Sequence, residues 1–488
     1  MRKPGADAAR MMSRSLAAAP HDHPGTSVIR RSRVPLAPFL PWFFCGSLLA
    51  GVALRAQTAP SSAMAALPVP SQATVTDLTP QPGYFTEPAI AIDPGNPRHV
   101  AAAFQDNAHA GYSTDGGRTW AVAAGTESTR FRVSGDVSIA WDTHGHAILC
   151  YMAFDKLGTF NYWGHNSSEN GLFVRRSLDG GRTWEAHDIP IIQHPDDPSA
   201  PWEDKPYIVA DDSHSRYGGN LYVGWTRWTL TDSEIWFARS TDDGLTWSKP
   251  VEIDRHPGLP RDDNGALEGF AGTVAPDGTL YVAWAADGWL VFAASHDGGK
   301  TFSAPRNVVK TAPIMFQVED VARSNGFPQI GIDARPGRKP RLYLAWSDYR
   351  NGDTDVFVSS STDLGRAWGR AVRVNNDPLH DGADQFFQWM AVDPVDGSVN
   401  LLFYDRRGDP KNRDATVTLA RSTDGGLTFR NFAWTKQAFN PERAFIGDYT
   451  GIAARDGLVY GIWTVKIAGT GPRGSIIQIG RADFAQAR

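Results

Sequence analysis

Carboxylates recur at one kind of place in this 488-residue chain, the start of short apolar segments: Glu87, Asp136, Glu203 with Asp204, Glu268, Asp384 and Asp448. Brought to one point, such acids have two chemical uses. They can hold a hard cation with oxygen ligands, for which Ca²⁺ is the suited ion, or they can serve as general acid and base. Taken singly, each is also suited to pairing with an arginine or accepting from a backbone amide. No cofactor is required by either chemistry. A second polar set lies in the loops after the second apolar segment of five modules: Asp106, Asp155, Arg227, Asp348 with Arg350, and Asp405 with Arg406 and Arg407. The planar guanidinium fork matches a carboxylate in two bonds. The Asp348-x-Arg350 spacing therefore fits either an internal ion pair that fixes a loop or a grip on an acidic ligand.

The elements that must position these groups are repeats. The phrase Ser-x-Asp-x-Gly-x-Thr-Trp, or a close variant, begins at Ser113, Ser177, Ser240, Ser295, Ser361 and Ser422, roughly 55 to 66 residues apart. One copy carries Ala367 in place of the threonine. An aspartate that bonds its own backbone, followed by glycine able to take positive φ, describes a tight turn between strands. The closing Trp or Phe can lay its ring between neighbouring repeats. Around each turn the same order recurs: a short apolar strand ending near Asp, a Val/Leu/Tyr/Trp-rich strand, a variable loop, a strand into the turn, and a last strand. The first unit shows it in Pro88 to Asp93, His99 to Gln105, Gly111 to Thr114 and Trp120 to Ala124. With no helical periodicity, modules of this kind predict an all-β fold, a β-propeller of four-stranded blades. Seven modules are countable, with six blades as the alternative should one be peripheral. The last module lacks an outgoing strand, and Gln72 to Leu78 is placed to supply it and close the ring. In such a ring the acids that open the inner strands, with the loops between second and third strands, lie on one face around a central channel. The recurring turns lie on the outer rim and are structural.

Composition bounds the rest. A formal charge of −5 shows no basic excess and no nucleic-acid footprint. Of two cysteines, Cys45 lies in an N-terminal apolar run and Cys150 in a strand, so Cys150 reads as a small core residue and no disulfide is expected. No Cys/His cluster has zinc spacing. Arg30, Arg31 and Arg33 precede the apolar stretch Val34 to Leu54, and small residues follow around Ala56 to Ala66. Basic arm, apolar core and small-residue exit describe an export leader over residues 1–56, or a retained membrane anchor, followed by a linker over 57–71 and one domain over 72–488. A secreted, periplasmic or cell-envelope location is expected, with no stable membrane span once the leader is removed.

The recurring turn resembles the Asp-box of the sialidase (neuraminidase) superfamily, over roughly residues 80 to 485. The resemblance implies a propeller hydrolase that removes terminal sugars from glycans through a tyrosine nucleophile assisted by a glutamate, an aspartic acid/base, and three arginines gripping a sugar carboxylate; the tyrosine departs from the usual pair of carboxylates. It implies Tyr449, in Gly447-Asp-Tyr-Thr-Gly-Ile452, as nucleophile, Asp106 as acid/base, Glu268 or equally Glu319 as the assisting glutamate, and Arg350 and Arg413 as two of the arginines, with Arg406 as substitute for Arg413. Glu87, Asp136, Asp204 and Asp448 would then line the substrate site, with no metal in the catalytic set. The family's Phe-Arg-Ile-Pro signature is matched by Phe85-Thr86-Glu87-Pro88: Thr86 stands where the first arginine belongs, and Glu87 would repel a carboxylate. Phe131-Arg132-Val133-Ser134 resembles the signature locally but follows the first turn. The other expectation is a non-catalytic propeller binding a glycan or protein at its acidic mouth.

Overall fold

The computed structural model describes residues 66–128, 130–131, 133–155, 169–197 and 199–485. The chain divides into Met1–Ala63 and Met64–Arg488. The leader and Arg132 lie outside the described residues. All regular elements are strands, grouped in seven four-stranded antiparallel sheets, so the seven-blade expectation holds. Among the described residues no helix is long and apolar enough to cross a membrane.

The innermost strands of blades 1 to 7 are Thr86–Ile92, Val133–Trp141, Trp202–Ala210, Glu268–Val274, Gln329–Asp333, Gln385–Val392 and Gly451–Arg455. Blade 7 is completed from the other terminus: Thr74–Asp77 pairs antiparallel with Ser475–Asp483, Thr74 opposite Arg481 and Asp77 opposite Gln478. Pro68 and Ser71, within the expected linker, also accept backbone bonds from Ala433 and Asp483, each at 2.9 Å.

Alternation along the strands sends apolar side chains to both faces of each sheet, and every blade-to-blade interface carries its own buried cluster. Between blades 2 and 3 it contains Ile148, Cys150, Val174, Ile208, Val223 and Trp225. Cys150 is thus a core residue, and burial pushes its thiol well up. The recurring turn serves the same interfaces. In the first copy Ser113 Oγ donates to Asp115 at 2.9 Å and accepts from the Gly117 amide at 2.9 Å. Asp115 then accepts from the Thr119 amide at 3.0 Å and its hydroxyl at 2.7 Å. The closing rings Trp120, Trp184, Trp247, Phe302, Trp368 and Phe429 each pack on the interface with the preceding blade. Gly117 could be no other residue without displacement, since a Cβ there would lie 2.4 Å from the Tyr460 ring.

Candidate functional site at the channel mouth

Five inner strands slip register at one equivalent point: between Thr86 and Ala89, Gly135 and Ser138, Asp204 and Tyr207, Glu268 and Ala271, and Phe386 and Trp389. A bulge inserts a residue and re-aims its side chain. At each bulge one residue takes positive φ: Glu87 (51°), Asp136 (44°), Lys205 (50°), Gly269 (75°) and Phe387 (51°). Non-glycine residues rarely adopt this conformation, and its repetition around one axis marks a place where backbone strain is held for a purpose. Blade 7 contributes Tyr449 and blade 5 Phe327 at the same sequence position, six residues before the strand's last residue or closing aspartate.

The bulged residues and their neighbours assemble one buried polar cluster. Lys205 Nζ lies 2.5 Å from Asp448 Oδ2 and 3.4 Å from Glu268 Oε1. Arg323 forks onto Asp448 at 2.8 and 2.5 Å while its third nitrogen meets Asp262 at 2.5 Å. Gln105 donates to Glu87 and, through its carbonyl oxygen, accepts from the Asp136 amide at 2.8 Å. The Asp448 amide donates to Glu87 Oε1 at 3.1 Å. Asp136 hydrogen-bonds the carboxyls of Glu87 and Asp204, and Asp204 also accepts from the Trp228 indole at 2.7 Å.

Burial divides these acids into two kinds. Asp448, although desolvated, is held well below the usual carboxylate range by Arg323 and Lys205. Desolvation and the nearby Asp448 charge raise Glu87 to about 7. Desolvation also drives Asp136, Asp204 and Glu268 well upward. Lys205 approaches Glu268 less closely than Asp448, at 3.4 against 2.5 Å. Neither carboxyl oxygen of Glu268 has a hydrogen-bond partner, and the residue is 1 % exposed. It borders a cavity of about 40 Å³ shared with Asn264, Met315 and Asn325.

Below the cluster the channel is apolar. A cavity of about 70 Å³ is walled by Tyr207, Phe270, Phe327 and Trp389, with Lys205 and Tyr449 also on its lining. Tyr449 is buried, its ring 5.5 Å from that of Trp389, and its hydroxyl donates to the Val137 carbonyl at 3.2 Å. Burial raises this hydroxyl well above the ordinary tyrosine value, and Glu87 is the strongest of the charged groups that add to the effect. Above the cluster stand Tyr84 and the exposed Arg473, stacked 5.5 Å apart. Burial raises the Tyr84 hydroxyl, and Glu87 adds to the effect.

Of the residues singled out from sequence, Glu87, Asp136, Asp204, Glu268, Asp448 and Tyr449 therefore converge, while Asp106 is exposed and follows Gln105, whose side chain joins them. The arginines do not assemble a grip. Arg350 clasps Asp348 and covers the rings of Trp346 and Phe357 at 5.4 and 4.6 Å. Arg406 is wholly buried and donates to the carbonyls of Asn412 and Glu319, at 2.9 and 2.8 Å. Arg413 is exposed and faces Asp320 at 3.3 Å. Glu319 has an exposed side chain. Asp384 caps the Thr354 amide at 2.9 Å. Glu203, though desolvated, is held low by His194 at 2.6 Å and by Arg227 at 2.8 Å. The cations that do reach the cluster, Lys205 and Arg323, were not among the residues expected there. Counting six back from Asp211, as from Asp93 to Glu87, points to Lys205. Arg323 sits in the connection between blades 4 and 5, outside any repeat position.

No family model matches the chain. A sialidase of Bacteroides fragilis (strain YCH46) is 28% identical over 283 residues, covering 52% of this chain and 47% of that protein. The chain thus spans about half the length of the curated relative it matches. Among solved structures, the Hadza microbial sialidase Hz136 superposes with a TM-score of 0.46 at 16% identity, over 79% of this chain and 73% of that one. The α-L-arabinofuranosidase Arb93A of Fusarium graminearum gives 0.45 at 12% identity, over 72% and 93%. With its seven-bladed ring and its sialidase relative, the chain is a sialidase-like propeller.

Proposed function

We propose that this sialidase-like propeller acts on glycans, as a glycoside hydrolase that takes a terminal sugar into the channel mouth. One observation carries the reading: buried carboxyls converge there beside Tyr449 on bulged strands, Asp448 paired with cations and Glu268 without a hydrogen-bond partner, and carboxyls in unlike surroundings are what the acid and base roles of glycosidic cleavage need. In this reading Tyr449 is the nucleophile and Glu87, titrating near 7, accepts its proton as the phenolic oxygen attacks the anomeric carbon. Asp106 gives a proton to the departing glycosidic oxygen, and Asp136, Asp204 and Glu268 hydrogen-bond sugar hydroxyls. Water then attacks the anomeric carbon of the glycosyl-tyrosine, Asp106 taking the water's proton while Glu87 returns its proton to the departing tyrosine oxygen, so the sugar is released and the phenol restored.

The charge balance favours an uncharged sugar over an acidic one. Asp448 and Asp262 pair with the two cations Lys205 and Arg323, so within the cluster the acids around Glu87 face an incoming carboxylate without a cation left to receive it. Fluorogenic aryl glycosides, neutral ones and a sialoside, test the proposal. Wild type is expected to turn over at least one neutral glycoside with kcat/KM above that for the sialoside, and Tyr449→Phe to abolish turnover without unfolding. No turnover of any glycoside overturns the hydrolase reading; preference for the sialoside overturns the choice of sugar. The basic arm and apolar run of the leader support a site of action outside the cytoplasm.

A second reading draws on the Tyr449 hydroxyl, which is already bonded to the Val137 carbonyl and held neutral. It makes the mouth a binding site for a glycan or protein, with Ca²⁺ as a possible companion. A melting temperature that rises with an oligosaccharide or Ca²⁺, without turnover, is its signature.

A further inference from the structure

The hairpin after the inner strand of blade 2 reads Asp142-Thr-His144-Gly-His146, and it faces the recurring turn of blade 3. We propose that Asp142, His144, His146 and Asp243 bind a divalent transition-metal ion, with zinc the best match, and that the ion clamps blade 2 to blade 3. One ligand atom from each of the four lies within 4.8 Å of the others. Asp142 is buried and pre-set: one oxygen accepts from the His144 and His146 amides at 2.9 and 2.8 Å, and the other faces His146 Nδ1 at 2.7 Å. Across the interface His144 Nδ1 lies 3.1 Å from Asp243 Oδ1. Two imidazoles and two carboxylates are a nitrogen and oxygen donor set that suits zinc in tetrahedral geometry, and two carboxylates neutralise a divalent charge. The nearest cation, Arg176, is held by Glu185 at 2.9 and 3.2 Å and offers Asp243 only a bond to its carbonyl oxygen, at 3.1 Å.

Asp243 distinguishes this turn from the other five. Its position takes positive φ in every copy, and the others carry Gly116, Gly180, Gly298, Leu364 and Gly425. Among the six copies a carboxylate occupies it here alone, at φ 59°, and it faces a hairpin that carries two histidines. The site escapes a search for zinc spacing because it contains no cysteine and takes its fourth ligand from another blade.

The test uses the full chain freed of metal by chelation, titrated with Co²⁺ and then Zn²⁺. One Co²⁺ per chain should give visible absorption of tetrahedral strength, Zn²⁺ should displace it, and the melting temperature should rise. Asp243→Gly restores the residue found in four other copies, so the metal-free variant should melt as wild type does. It and His144→Ala should each weaken binding roughly tenfold or more. A wild-type dissociation constant weaker than about 1 mM overturns the proposal. So does tight binding that both variants leave unchanged, which would place the ion elsewhere, for example at His21 and His23 of the leader.

Discussion

The carboxylates of the outer turns and those of the channel mouth are the same functional groups in opposite states. On the rim, Asp115, Asp297 and Asp424 are each lowered to about 2. Their surroundings are backbone amides and hydroxyls that point at the carboxylate, as when Asp297 accepts from the Thr301 amide and hydroxyl at 2.9 and 2.6 Å. At the mouth, Glu87 rises to about 7, and Asp136, Asp204 and Glu268 are also raised by burial. There the solvent is gone and like groups crowd one another. Donors that favour the charged form stabilise a turn; acids that must share few cations form a centre whose protonation can change.

The largest effect that would sharpen this contrast comes from the cation at the heart of the mouth. Lys205→Met removes the partner of Asp448 and the neighbour of Glu268, and is expected to lower unfolding free energy by about 3–5 kcal/mol in denaturant titration. A loss below about 1 kcal/mol would mean that the cluster re-solvates freely, and the distinction from the rim would collapse.

pH separates the regions by sign. A carboxyl raised in the folded state binds its proton more tightly there than in the unfolded chain. The stability it contributes is complete below 4.5 and is lost as pH rises through about 7. A depressed carboxyl such as Asp297 contributes above 3.8 and fails as pH falls through about 2. Wild type should therefore lose stability in both directions from about pH 4.5. The alkaline limb between 4.5 and 7 should flatten in Glu87→Gln while the acid limb remains. Equal slopes in both proteins, followed by thermal melts across pH, would remove Glu87 from that limb. The smallest effect belongs to a single turn: Asp297→Ala should cost about 1 kcal/mol and leave any activity unchanged, since the rim stands apart from the mouth.

The ring was legible from sequence because each turn repeats its own chemistry: serine, aspartate, glycine and threonine at fixed offsets bond to one another locally, as Ser113, Asp115, Gly117 and Thr119 do. The closing strand was legible because the last module visibly lacks one. The acids at the mouth could be found from their place ahead of each inner strand. The bulges could not, since the inserted residue falls within the first few positions of each strand, where too little alternation precedes it for the change of phase to show, and Lys205 stands in that inserted place beside Asp204. Arginines were misplaced for a related reason. Arg350 has the right type in a suitable loop, but nothing in the order of residues says that it folds back on Asp348 two positions earlier.

The pairing of Thr74 with Arg481 makes the ring a clasp between segments about 400 residues apart. During synthesis the first strand made must wait, unpaired, for the last. Until Ser475–Asp483 has emerged, blade 7 offers a bare edge on one side and blade 1 an uncovered apolar face on the other. The interface of Leu78, Ile90, Phe104, Tyr460 and Ile479 cannot be complete before that segment has emerged. A break at that clasp would not shorten the molecule by one strand; it would turn a closed ring back into an open stack with two exposed ends.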